Sequence, residues 1–132
     1  MFKDTHAFSS FSVDDIAKAR TFYGETLGLN VEDMSIGLNL TVAGGGSIFI
    51  YPKPDHSPAS FTIINFPVDE IDDAVDKLIS KGITFEQYDG HMKTDEKGVL
   101  RSDDPSHGPS IAWFKDPAGN ILSVVEDMSP NK

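Results

Sequence analysis

Any chemistry this chain performs must come from nitrogen and oxygen groups. None of its 132 residues is a cysteine, which excludes disulfides, thiolate nucleophiles and thiolate metal ligands. Its four imidazoles are His6, His56, His91 and His107. No two of them stand at the His-x-x-x-His spacing that puts a pair on one helix face. A metal site assembled from His6, His91 and His107 with an Asp or Glu would need loops folding together, and the plainer reading is four polar surface or core residues. Ser9, Ser10, Ser12 and Ser123 fall in strand-like segments without the Gly-x-Ser-x-Gly elbow that exposes a nucleophile. Gly44, Gly45 and Gly46 are followed by neither a helix nor Gly-Lys-Ser/Thr, so they read as a hairpin and not a phosphate cradle. Glu126 and Asp127 are adjacent acids at a strand end, where carboxylates usually face water instead of flanking a scissile bond.

Bulk properties narrow the partners. The net charge is −10 and the 11 basic residues are scattered, which argues against nucleic acid, because phosphate binding relies on clustered Lys and Arg. A hydrophobic content of 39% over 132 residues supports one domain with a real core, spanning residues 1–132. No uninterrupted apolar run of about 18 residues is present, so no membrane span is expected. The opening MFKDTHAF lacks the basic start and apolar run of an export signal, and a cytoplasmic location is the expectation.

The elements that must position these residues repeat. FSVDDI occupies residues 11–16 and FPVDEI residues 66–71. Each ends an apolar strand and opens a helix, with Asp14 and Asp69 as the expected N-caps. Ile16, Ala19, Tyr23 and Leu27, widened by Phe22, form the first helical stripe; Ile71, Ala74, Val75, Leu78 and Ile79 form the second, ended by Gly82. Strand patterns flank both: HAFSSFSV, NVEDM, GLNLTVA and SIFIYP around the first, SFTIINFPV, ITFEQ, SIAWFK and NILSVVE around the second. GGG and DPAG join the last pair in each half. Two modules result, at about residues 5–53 and 59–127, with a short tail at about 128–132.

That duplicated order resembles the vicinal oxygen chelate superfamily, which includes glyoxalase I, extradiol dioxygenases, fosfomycin-resistance enzymes and bleomycin-binding proteins. The resemblance rests on Val13, Asp15, Phe22, Tyr23, Leu27, Gly28 and Leu29 after the first corner and on the hairpin WFKDPAGNILSVVE, and it runs from about His6 to Glu126. It implies an α+β fold of two βαβββ modules forming an incomplete barrel, helices outside, a ligand cavity inside, and a homodimer. Metal-dependent members place one donor on the first and last strand of each module, at positions that correspond here to Phe8, Phe49, Ile63 and Ser123. None of these is a strong donor, so the resemblance implies no metal and no other cofactor in this chain. A one-residue shift along a strand would turn the side chain to the opposite face. A two-residue shift brings in His6, Ser10, Tyr51, Asn65 and Val125, a set with a single imidazole.

Phe8, Ser10, Phe49, Tyr51, Ile63, Asn65 and Ser123 would then line a mostly apolar chamber with a few hydrogen-bonding groups. Trp113, the sole tryptophan, stands on the strand before DPAGN and would either stack on a flat or cationic ligand or pack in the core. The long connection over residues 88–109 carries Arg101, which in a lid would pair with a ligand carboxylate or phosphate. The expected function is metal-independent binding of a small organic molecule of unknown identity. The alternative is a metal-dependent glyoxalase-like lyase or dioxygenase using His6 and the loop histidines, and a third reading is an interaction module whose cavity is filled by its own side chains.

Overall fold

Both repeated corners turn into a helix one residue later than the sequence predicts. In the first, Asp15 and not Asp14 is the N-cap, and its carboxylate accepts from the amides of Ala17 and Lys18 at 3.0 and 3.1 Å. In the second, the cap position belongs to Glu70 and not Asp69, and its side chain makes no capping bond; Asp72 and Asp73 supply negative charge to the first turn instead. The reason is the same in both halves. The carbonyls of Val13 and Val68 still accept from Lys53 and Asp127 at 2.9 and 2.7 Å, so one more extended residue is needed before the chain can wind up. The computed structural model describes residues 1–102, 106 and 108–127. His107 and the tail at 128–132, which entered the sequence expectations, lie outside the described residues.

The chain divides into two compact units, Met1–Pro58 and Ala59–Lys132. In the first, strand β1 (Ser9–Val13) leads into helix α1 (Ile16–Arg20), which widens into a π-helical turn at Thr21–Thr26. Strands β2 (Asn30–Met34), β3 (Gly37–Thr41) and β4 (Ser47–Pro52) follow. They form a mixed sheet in the order β1-β4-β3-β2, with β1 parallel to β4 and the other pairs antiparallel. Gly44 and Gly45 take positive φ in the β3–β4 turn, as the glycine run predicts. Because side chains alternate across a sheet, Val13, Leu38, Leu40 and Ile50 share one face. They are buried along with Ala19 and Tyr23 of the helical segment.

The second unit repeats the plan with one substitution. Strand β5 (Thr62–Val68), helix α2 (Ile71–Ser80), strand β6 (Val99–Leu100), strand β7 (Ile111–Lys115) and strand β8 (Ile121–Glu126) make a mixed sheet in the order β5-β8-β7-β6. The predicted strand ITFEQ does not become a sheet strand. It contributes a single bridge, Phe85 to Phe114, and a bond from the Glu86 amide to the Trp113 carbonyl at 2.8 Å. The rest of that β7 edge is taken by β6, which lies within the long connection over residues 88–109. The alternation in ITFEQ still reports burial, since Ile83 and Phe85 are buried and Thr84 is exposed. Ile71 and Val75 of α2 are buried along with Ile64, Ala112, Phe114, Leu122 and Val124, which alternation places on one sheet face. Of the helical stripe read from sequence, Leu78 is half-buried and Ile79 remains 45% exposed, so the last stripe position does not join the core. Among the described residues no helix is long and apolar enough to cross a membrane.

Two substitutions test this packing. Phe114, fully buried with its ring 5.5 Å from that of Phe85 in an edge-on pair, should cost about 3–5 kcal/mol when replaced in Phe114→Ala, measured by urea unfolding. Gly98 has φ +88°, and an added Cβ would lie 2.7 Å from the Phe85 Cβ. Gly98→Ala should therefore lower stability by more than about 1 kcal/mol and weaken exchange protection at the Val99 amide.

Candidate ligand site

Alternation leaves the opposite face of each sheet without a helix of its own unit. In the second unit that face carries Asn65, Trp113 and Ser123. Ser123 is fully buried, and its hydroxyl donates to Asn65 Oδ1 at 2.6 Å. Trp113, directly across from Ser123 in the β7–β8 register, donates from its indole Nε1 to Thr62 Oγ1 at 3.1 Å. A register slip makes that bond possible: Thr62 pairs with Ile121 and Ile64 with Leu122, so β5 has one residue more than β8 at this point. Ile63 is the extra residue, half-buried in the bulge, and Thr62 takes the place on the Asn65 and Ser123 face that strict alternation assigns to Ile63.

Beside Trp113 lies an open groove of about 660 Å³. Among the described residues, its aromatic lining is Trp113, Tyr88 and Phe61, its aliphatic lining Met92 and Ile121, and its charged lining residue Asp89. Tyr88 meets Trp113 edge-on with centroids 5.6 Å apart. Burial, and secondarily the nearby Glu86 carboxylate, push the Tyr88 phenol up from its ordinary value, so it stays neutral. Tyr88 is held through its backbone, its amide donating to Thr94 Oγ1 at 2.9 Å and its carbonyl accepting from the Thr94 amide at 3.0 Å. Phe61, also in the lining, is 68% exposed.

The segment supplying Tyr88, Asp89 and Met92 is clamped to α2 by charge. Arg101 grips Asp72 with two parallel bonds of 2.7 Å and reaches Asp95 Oδ2 from its Nε at 2.9 Å. Lys97 Nζ bridges Asp72 and Asp76 at 2.8 and 2.9 Å. Asp95 Oδ1 accepts from the amides of Lys97 and Val99, both at 2.9 Å, closing the turn that starts β6. Arg101 is thus bound to protein carboxylates, and the sequence expectation of a lid arginine for a ligand anion is replaced by an arginine that anchors the segment.

In the first unit the corresponding face carries Ser10, Ser12, Phe49 and Tyr51. The rings of Phe49 and Tyr51 stack with centroids 6.1 Å apart and an interplanar angle of 17°. Ser12 Oγ lies 2.7 Å from His56 Nδ1, a pairing across 44 positions that no local pattern announced. Phe8 precedes β1 and is 66% exposed. Phe8, Ser10, Phe49 and Tyr51 therefore belong to one unit, and Ile63, Asn65, Arg101, Trp113 and Ser123 to the other.

These two sheets, each pairing its first strand in parallel with its last, match a known family over nearly the whole chain. A model of the Glyoxalase/Bleomycin resistance protein/Dioxygenase superfamily matches residues 6–124. The chain belongs to that superfamily. Solved structures with the same fold include a glyoxalase family protein from Enterococcus faecalis, with 20% identity, TM-score 0.69, and coverage of 96% of this chain and 100% of the other. A superfamily member from Sphaerobacter thermophilus has 22% identity, TM-score 0.65, and coverage of 92% and 97%. An antibiotic-binding protein from Streptomyces sp. CB03234 has 23% identity, TM-score 0.60, and coverage of 93% and 97%. No curated protein matches the chain.

The residues at the superfamily's donor positions do not fit a divalent cation. In the first unit they are the hydrocarbon rings of Phe8 and Phe49; in the second, the aliphatic Ile63 and a serine whose hydroxyl proton is given to Asn65. Among the described residues no group of three or more His, Asp or Glu side chains is placed to hold an ion. His6 lies in the first unit and His91 in the second.

The clamp has a pH signature. Arg101's hydrogen bonds, followed by those of Lys97, hold the Asp72 carboxyl well below the usual carboxylate range. A lowered folded value stabilises the fold above the unfolded carboxylate value of about 3.9 and is lost as pH falls below it. Asp72→Asn should flatten the acid limb of the stability curve below about pH 4. It should also speed hydrogen exchange at the Val99 amide at neutral pH; unchanged exchange would show that the clamp does not hold β6.

Proposed function

We propose that this chain is a metal-independent binder of a small organic molecule, which it holds on the aromatic groove of its second unit. The observation that carries the reading is Trp113. Its indole edge is fixed by Thr62, and the residue, though only 7% exposed, borders an open, mainly apolar groove of about 660 Å³. That volume falls in the range of roughly 300–1,000 Å³ expected of small-molecule sites, and a few placed polar groups among aromatic rings are their usual make-up. The side chains at the superfamily's donor positions support a site that works without a metal, since they offer carbon and one engaged hydroxyl. Among the proteins sharing the fold, the Streptomyces antibiotic-binding protein is a binder by name. The reading includes a homodimeric, cytoplasmic protein.

The test uses tag-free protein. Mass spectrometry of the purified chain should find no stoichiometric metal, and a panel of flat aromatic compounds should yield at least one that changes Trp113 fluorescence and raises the melting temperature, because a ligand selective for the folded state stabilises it. Phe61→Ala, at an exposed position, should weaken that compound roughly three- to tenfold, the worth of one aromatic contact, without lowering stability. Stoichiometric zinc, nickel, iron or manganese, or silence across the panel, would overturn the reading.

A further inference from the structure

We infer that residues 87–94 form a lid on Trp113 that swings outward as one piece between two fixed points. The motion needs no ligand; that it admits one to the groove rests on the preceding reading. Three features of the segment fit it for this.

The first is what it covers. Trp113 borders the groove yet is buried. Part of its cover is the ring of Tyr88, edge-on with centroids 5.6 Å apart. Moving that ring aside uncovers indole surface that the closed arrangement withholds.

The second is where the segment is anchored. At one end the Glu86 amide donates to the Trp113 carbonyl at 2.8 Å, next to the buried Phe85. At the other the Asp95 amide donates to the Val99 carbonyl at 2.9 Å, while Arg101 holds the Asp95 carboxylate. The charge clamp thus fixes the base on which the lid turns. Between the two anchors little apolar surface is buried. Tyr88 is half-buried, Met92 is exposed, and within residues 87–94 Thr94 is the one buried residue. Segments with so few buried apolar contacts lie at the low end of local stability.

The third is closure of the segment on itself. The Tyr88 amide donates to Thr94 Oγ1 and the Thr94 amide to the Tyr88 carbonyl. Both bonds lie within the lid and survive its movement. Opening breaks instead the ring contact with Trp113 and the bond from Gln87 Nε2 to the Glu96 carbonyl, at 2.8 Å, which latches the lid to the clamped turn. That latch is exposed and neutral, so its net worth is small.

Because Trp113 is the sole tryptophan, acrylamide quenching of the protein's fluorescence reads the open population directly. Gln87→Ala, at an exposed position, should raise the quenching constant roughly threefold, the worth of one neutral hydrogen bond, and leave the urea midpoint unchanged. Relaxation dispersion should show microsecond-to-millisecond exchange with one common rate at the Tyr88, Met92 and Thr94 amides, the timescale of lid opening, and none at the Glu86 and Val99 amides. Unchanged quenching in Gln87→Ala, or a flat dispersion profile across residues 87–94, would overturn the inference. Exchange at Val99 with the rate found at Thr94 would overturn it too, by showing that the clamped turn moves as well. A compound panel that stays silent while the quenching and dispersion results hold would remove the ligand reading and leave the lid.

Discussion

Parallel pairing of β5 with β8 puts Asn65 opposite Ser123, and a 2.6 Å hydrogen bond joins their side chains across the second sheet. Everything proposed for this chain depends on that register. Asn65 and Ser123 define one face, so Ile64, Leu122 and Val124 must lie on the other, where they are buried along with Ile71 and Val75 of α2. Trp113 then has one place to go, across from Ser123 on the face without a helix. The one-residue bulge at Ile63 completes the arrangement by turning Thr62 to the same side, where it takes the indole proton. A slip of one more residue along β5 would move Thr62 away and leave the Trp113 N–H without this acceptor.

The groove is built from both regular and irregular chain. Its fixed element is the sheet, which supplies Trp113, Thr62 and Ile121; the other wall is Tyr88, Asp89 and Met92 on a connecting segment. A connection of this kind normally gains little from burial. Here it is tied at both ends, by the paired bonds between Tyr88 and Thr94 and by the fork of Arg101 on Asp72. The ion pairs are half-exposed, so each alone contributes modestly. Their effect is positional: five charged side chains converge on one turn of helix and hold the wall in place through geometry that a single pair could not supply.

Positions that the family resemblance marks for donors make other contacts in this chain. Ser123, at a last-strand donor position, is a structural hydroxyl within the sheet. Phe49, at the other, is one half of a stacked aromatic pair with Tyr51. The fold does not require donors at these positions, because the backbone ladder does not depend on what those side chains bind.

The repeat of FSVDDI and FPVDEI, the alternation in the strands and the glycine hairpin are all local properties, and the amino-acid order alone determined them. Periodicity of two or 3.6 residues specifies which side chains share a face before any partner strand is known. Even ITFEQ announced its buried positions correctly, although the edge of β7 had room for only one of its bridges. What needed the tertiary structure was every feature set by a partner far along the chain. The bulge at Ile63 exists only relative to β8, so Thr62 could not be recognised as the acceptor for Trp113. Arg101 found carboxylates 29 and 6 positions away, on a helix and a turn whose proximity no spacing encodes. Tyr88 and Asp89 came to line the groove only when their segment folded against Trp113, because a loop has no period from which its direction can be read.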